Sequence, residues 1–166
     1  MRPETIRPKG ARAAEVVASG ITLPRWSSRL ARFCGAVLAD AGAAEWEVAV
    51  LLCDDATIAS LNSRYRGKEG PTDVLSFPRS ARPRSPRFSF PRRVEGDIAV
   101  SLDTLRRNAR ELRVGVEEEL KRLLVHGLLH CAGLDHGRGR GGAMIARQEA
   151  IVRAFTGTRI IGARRN

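Results

Sequence analysis

WEVAVLLC (Trp46–Cys53) is eight residues long, rich in valine and leucine, and reads as a β-strand. Asp54 or Asp55 can cap a helix immediately after it, in which Ile58, Leu61 and Tyr65 share a side. A polar loop, RGKEGPTD, then leads into a second short strand, DVLSF (Asp73–Phe77). Strand, helix and strand in this order predict a right-handed βαβ unit. Working outward, PRWSSRLARFCGAVLADAG from Pro24 sets Trp26, Leu30, Phe33, Val37 and Leu38 on one helical face, with Gly42 as the stop. Downstream, Pro78 to Glu95 holds four prolines and six arginines and reads as a loop, the most basic segment of the chain. Its role is open between a solvated insertion and a basic binding segment. Regular structure is expected to resume with GDIAVS (Gly96–Ser101), followed by helices over Leu102–Arg113 and Val116–Ala132 and an amphipathic helix near Ala143–Phe155. The organisation expected is a flexible segment over 1–20, one domain over 21–157 with the 78–95 insertion, and a tail over 158–166.

A chain of 166 residues can bury a core without disulfides, and its 43% hydrophobic and 28% charged residues are those of a globular protein. No apolar run approaches the ~18–20 residues that span a bilayer, so no membrane-spanning segment is expected. The first twenty residues lack an apolar stretch of the secretory kind. Cys34, Cys53 and Cys131 are odd in number and far apart, and read as reduced thiols of a cytoplasmic protein. Lysine and arginine number 29 against 18 acidic residues, leaving a net charge of +11. That surplus favours a polyanionic partner, nucleic acid or an anionic membrane surface, although an arginine-biased genome would also produce it.

The three histidines of the chain all lie in HGLLHCAGLDH, His126 to His136. His126 and His130 are i and i+4, so a helix presents both on one face. Gly133 can end that helix in the left-handed conformation, and the turn back lets His136 complete a trigonal set. Three imidazoles leave one position of a tetrahedral zinc open to water, the mark of a catalytic site. Histidines bonded only to backbone carbonyls are the alternative, but LLVHGLLHCAGL is apolar on nearly all sides and two buried histidines need partners. Asp135 can either fix the tautomer of a ligand imidazole or cap the turn. Cys131 follows His130 directly, points about 100° away on a helix, and is expected in the core.

The skeleton H-x-x-x-H-x-x-G-x-x-H is also that of metzincin peptidases, in which a glutamate after the first histidine is the general base. Here that position is Gly127, which cannot move a proton. HGLLHCAGLDH instead resembles the signature of the YbeY endoribonuclease family. LNSRYRGKEGPTDVLSFP (Leu61–Pro78) resembles that family's second hallmark stretch, and GDIAVS its third. The three lie in the expected order from Trp46 to His136. Leu134 stands where the family usually has tyrosine, the basic stretch Arg79–Arg93 is long for the family, and GRGRGG after His136 is unusually rich in glycine and arginine.

The resemblance implies a compact α/β (α+β) domain in which a small, mostly parallel four-stranded mixed sheet packs with about five helices. The metal site would lie at the end of the central helix, with one zinc ion per chain. It further implies a single-strand-specific endoribonuclease that processes ribosomal RNA, notably the 3′ end of the small-subunit 16S RNA, and serves ribosome quality control, with single-stranded RNA and the ribosome as partners. By the same resemblance Arg66 lies in the cleft near the metal, where a guanidinium can grip two phosphate oxygens and offset developing charge. Without the resemblance Arg66 would read as a solvated cation at a helix end. Lys68 is a second candidate for backbone contact. Zinc would lower the pKa of its water towards ~7 and polarise a phosphoryl oxygen. The general base, and whether water or the neighbouring ribose hydroxyl attacks, stay open. So does the oligomeric state. Two alternatives from other classes are a metzincin-like zinc peptidase and a ribosome-associated binding factor with a structural metal.

Overall fold

The computed structural model describes residues 12–79, 90–135 and 137–162, with backbone alone for 137–141. The elements in chain order are β1 (Arg12–Ser19), α1 (Ser27–Asp40), β2 (Glu45–Cys53), α2 (Asp55–Arg66), β3 (Val74–Pro78), β4 (Arg93–Ser101), α3 (Leu102–Leu112), α4 (Val116–Cys131) and α5 (Gly137–Ala154). The sheet order is β1-β2-β4-β3. β1 and β4 flank β2 in parallel, and β3 runs antiparallel to β4. The expected mixed, mostly parallel sheet of four strands with five helices is therefore present.

Side-chain alternation divides the sheet into two faces. Trp46, Val48, Val50 and Leu52 of β2 align with Val94, Gly96, Ile98 and Val100 of β4. This face carries the main core, which takes in Leu30, Phe33 and Leu38 of α1 and Leu120, Leu124, Val125, Leu128 and Leu129 of α4. The other face holds a smaller core, in which Cys53, Leu75 and Ala99 pack with Ile58 of α2.

α4 lies very close to the sheet, and two glycines explain how. A Cβ at Gly96 would stand 2.4 Å from Cys131 Sγ, and a Cβ at Gly127 would stand 2.9 Å from two carbons of Ile98. Each side of the contact thus gives up a side chain where the other presses in. Cys131 is buried here, as expected, and burial pushes its thiol up to about 12, with Asp97 adding to the rise.

Four expectations need correction. First, β2, α2 and β3 do not make a βαβ unit. Asp73 is pinned at the C-terminal end of β4: its carbonyl accepts from the Ser101 N–H at 3.0 Å and its carboxylate from Asn108 at 3.1 Å. The chain re-enters the sheet at the end it left, so β3 must run back, beside β4. The parallel crossover is β1–α1–β2 instead. Second, residues 12–19 of the expected flexible segment form β1. This edge strand is only half-buried and carries Arg12 and Glu15, so its sequence has no clear apolar alternation. Third, β4 begins at Arg93 rather than Gly96, because Val94 enters the core and the Arg93 guanidinium bonds Glu45 and Glu95. β3 likewise includes Pro78. Fourth, the expected tail is anchored: Ile160 is fully buried, its N–H donates to Glu117 at 2.9 Å, and its carbonyl accepts from Arg29 at 2.7 Å. α5 also starts before Ala143, at Gly137. Residues 1–11, 80–89 and 163–166 of the expected flexible, insertion and tail segments lie outside the described residues.

Candidate functional site

α4 carries Glu117, Glu118 and Glu119 in its first turn, where acidic side chains suit the helix dipole. Its inner face is apolar, and His126 and His130 sit half-buried one turn apart on its flank. The helix ends after Cys131, and Gly133 takes φ +85°. The Gly133 N–H donates to the His130 carbonyl at 2.9 Å and the Leu134 N–H to the Leu129 carbonyl at 3.0 Å. The sequence expectation for this turn is met.

The two imidazoles converge. Their Nε2 atoms are 3.1 Å apart, and the rings meet edge to face with centroids 4.6 Å apart. Two nitrogens bound to one tetrahedral zinc at ~2.0–2.1 Å would lie ~3.3 Å apart, close to this spacing. The donor chemistry and geometry of this pair therefore fit adjacent ligands on one ion. His136, the third expected ligand, lies outside the described residues. Among the described residues no three histidine, cysteine, aspartate or glutamate side chains gather into a metal-holding group.

His126 Nδ1 lies 2.9 Å from Gln148 Oε1 of α5. The Gln148 amide nitrogen faces Glu149 Oε1 at 3.4 Å, and Glu149 accepts from Arg122 Nε at 3.2 Å. Sequence reasoning missed Gln148. It lies 22 residues from His126, and nothing in its local pattern separates it from any polar residue on an amphipathic helix.

The opposite wall comes from the end of α2 and the turn after it. Asp54 caps α2, its carboxylate accepting from the Thr57 N–H at 2.9 Å, and this bond holds that carboxyl below its ordinary value. Asp55 reaches across to α3 and accepts from Ser101, Thr104 and Arg107 at 2.6–2.7 Å. Burial alone would raise its pKa, but these donors outweigh it and hold the group at about 2. At the far end Gly67 takes φ +62° and closes the helix just after Arg66. The buried Asn62 amide donates to the Gly70 carbonyl at 3.0 Å, tying the turn back onto the helix. Asn62 is a second residue that sequence reasoning missed.

Arg66, Lys68, His126, His130 and Asp135 all line one cleft of about 400 Å³, with Val74, Leu75 and Ser76 of β3 on its floor. Arg66 and Lys68 are exposed. Gly127 faces Ile98 and the sheet, so a glutamate there would have to enter the core. The peptidase reading thus loses its general base for a packing reason as well as a chemical one. No helix among the described residues is long and apolar enough to cross a membrane.

The model of one protein family, described as Endoribonuclease YbeY, matches residues 18–156. Relatives named Endoribonuclease YbeY include one from Treponema pallidum, 38% identical over 141 residues and covering 82% of this chain and 86% of its own. Another, from Treponema denticola, is 45% identical over 108 residues, covering 65% and 69%. A solution structure from Thermotoga maritima superposes with a TM-score of 0.61 at 26% identity, covering 87% of this chain and 89% of that one.

Proposed function

This chain belongs to the YbeY endoribonuclease family, and on that premise we propose that it is a zinc-dependent, single-strand-specific endoribonuclease of the cytoplasm. Its substrate is ribosomal RNA, with the 3′ end of the small-subunit 16S RNA as the processing site and ribosome quality control as the wider role. The observation that supports this reading best is the single cleft in which His126 and His130 converge opposite Arg66 and Lys68.

His136 completes the ligand set, since it lies six residues beyond His130 on the far side of the Gly133 turn. A zinc ion held by the three imidazoles would supply Lewis-acid polarisation of a phosphoryl oxygen and a bound water of lowered pKa. The Arg66 guanidinium binds non-bridging phosphate oxygens in a two-pronged fashion and offsets the charge that grows on them in the transition state. Lys68 engages a flanking phosphate, and the basic surface tracks the strand in a salt-dependent way.

Metal content and cleavage of single-stranded RNA test this together. The wild-type protein is expected to hold about one zinc and to cut single-stranded but not duplex RNA; His130→Ala is expected to lose both metal and activity. A substrate with a 2′-deoxy sugar at the cut position separates attack by water, which persists, from attack by the ribose hydroxyl, which stops. Cleavage by metal-free protein at the wild-type rate, or hydrolysis of peptides in place of RNA, overturns the reading.

A further inference from the structure

We propose that Gln148 is the positioning residue of the metal centre: through a chain that begins at Arg122 it fixes the His126 tautomer, with the proton on Nδ1 and Nε2 unprotonated. The inference rests on the metal site proposed above, but its first consequence is a property of the metal-free protein.

Arg122, Glu149, Gln148 and His126 form a chain of four side chains. Arg122 is anchored on α4 by Glu118, 2.7 Å from its Nη2, and donates through Nε to Glu149 at 3.2 and 3.4 Å. A carboxylate can only accept, so the group of Gln148 that faces Glu149 Oε1 at 3.4 Å must be the NH2 end of the amide. That contact removes the usual ambiguity between amide oxygen and nitrogen. The oxygen is then left facing His126 Nδ1 at 2.9 Å. An amide oxygen has no proton to give, so Nδ1 carries the hydrogen. In a neutral imidazole Nε2 is then unprotonated, and this is the atom 3.1 Å from His130 Nε2.

Two consequences follow. The ring is held in the orientation and tautomer that a metal requires, so less ordering remains for the binding step. The acceptor is also a neutral amide in place of a carboxylate, which leaves the imidazole a weaker donor to the ion and the ion a stronger Lewis acid. Glu149 supplies the negative charge one step further back, where Arg122 neutralises it.

The test uses the full chain with ¹⁵N-labelled histidine, free of metal, at about pH 8, well above the ordinary histidine range. Wild-type His126 is expected to show Nδ1 protonated and Nε2 unprotonated. Gln148→Met, close in length but without an acceptor oxygen, is expected to show a mixture of tautomers, and Gln148→Glu to restore the wild-type pattern. Zinc affinity by competition with a chelator is expected to fall about 10- to 100-fold in Gln148→Met and to recover in Gln148→Glu. Glu149→Gln leaves the His126 contact in place but frees the amide to rotate, so it is expected to fall between the two. Should Gln148→Met fail to fold, Glu149→Gln and Gln148→Glu carry the test. A wild-type His126 protonated at Nε2, or zinc affinity in Gln148→Met or Glu149→Gln within twofold of wild type, overturns the proposal. Wild-type protein that shows the expected tautomer yet binds no zinc would instead overturn the metal reading and leave the tautomer assignment standing.

Discussion

One wall of the cleft is a helix pressed into the core, and the other is a solvated turn. On α4 the histidines sit on a rigid body whose inner face meets the sheet without side chains at Gly127 and Gly96. On the opposite side Arg66 and Lys68 project into solvent from a helix end and turn held by Gly67 and by the Asn62–Gly70 bond. A metal site requires fixed donors within fractions of an ångström, and close packing supplies that. A site for a flexible polyanion needs charge within reach. The two walls should therefore fail differently: substitutions at the packed wall should cost stability, and those at the exposed wall only activity.

The largest expected effect lies at Gly127. Placing glutamate there forces a carboxylate against Ile98, and Gly127→Glu should lose at least about 3 kcal/mol in urea unfolding or fail to fold. A variant as stable as the parent would mean that α4 does not press on β4, and the packing argument against a peptidase would fall with it. Next comes Arg66→Ala, for which RNA cleavage should drop about 100-fold, in the range for a lost charge-stabilising donor, while the melting temperature stays put. Arg66→Lys should recover only part of the rate, because an ammonium cannot grip two oxygens at once. A melting temperature several degrees lower would place Arg66 in the packed class and blur the contrast.

Gly96→Ala ranks third. Its Cβ would meet the Cys131 sulfur and the Phe77 carbonyl oxygen, and the latter, as backbone, yields little. A loss of about 1–3 kcal/mol is expected, measured by urea midpoint. The smallest effect belongs to Asp55, which joins the start of α2 to α3, at the other end of that helix from Arg66. Its folded pKa of about 2 lies below its ordinary value near 3.9. Stability from this group is therefore full above about pH 4 and lost as the pH falls towards about 2. Asp55→Asn should cost on the order of 1 kcal/mol at neutral pH, after discounting for its partial exposure, and should converge with wild type near pH 2. Curves that stay parallel across that range would remove the carboxylate from the account.

Much of the packed wall was legible because its constraints are local. Helical spacing placed His126 beside His130, and Gly133 ended the helix where its left-handed φ was expected. The apolar run of β2 and the one-sided pattern of α1 were equally plain. The exposed wall was less so. Arg66 is one of many arginines in a chain of charge +11, and only a family resemblance singled it out. Gln148 was invisible, because its role exists only once α5 has docked against α4.

The amino-acid sequence alone determined what depends on near neighbours in the chain: which segments coil or extend, where glycine stops them, and which imidazoles share a helix face. Tertiary structure decided the direction of β3, the recruitment of residues 12–19 into the sheet, the anchoring of Ile160, and the meeting of Gln148 with His126. The division has a physical cause. Local torsional and side-chain preferences act over a turn or two of backbone, whereas strand direction and contacts between distant residues are set by the burial and hydrogen bonding of the whole chain at once.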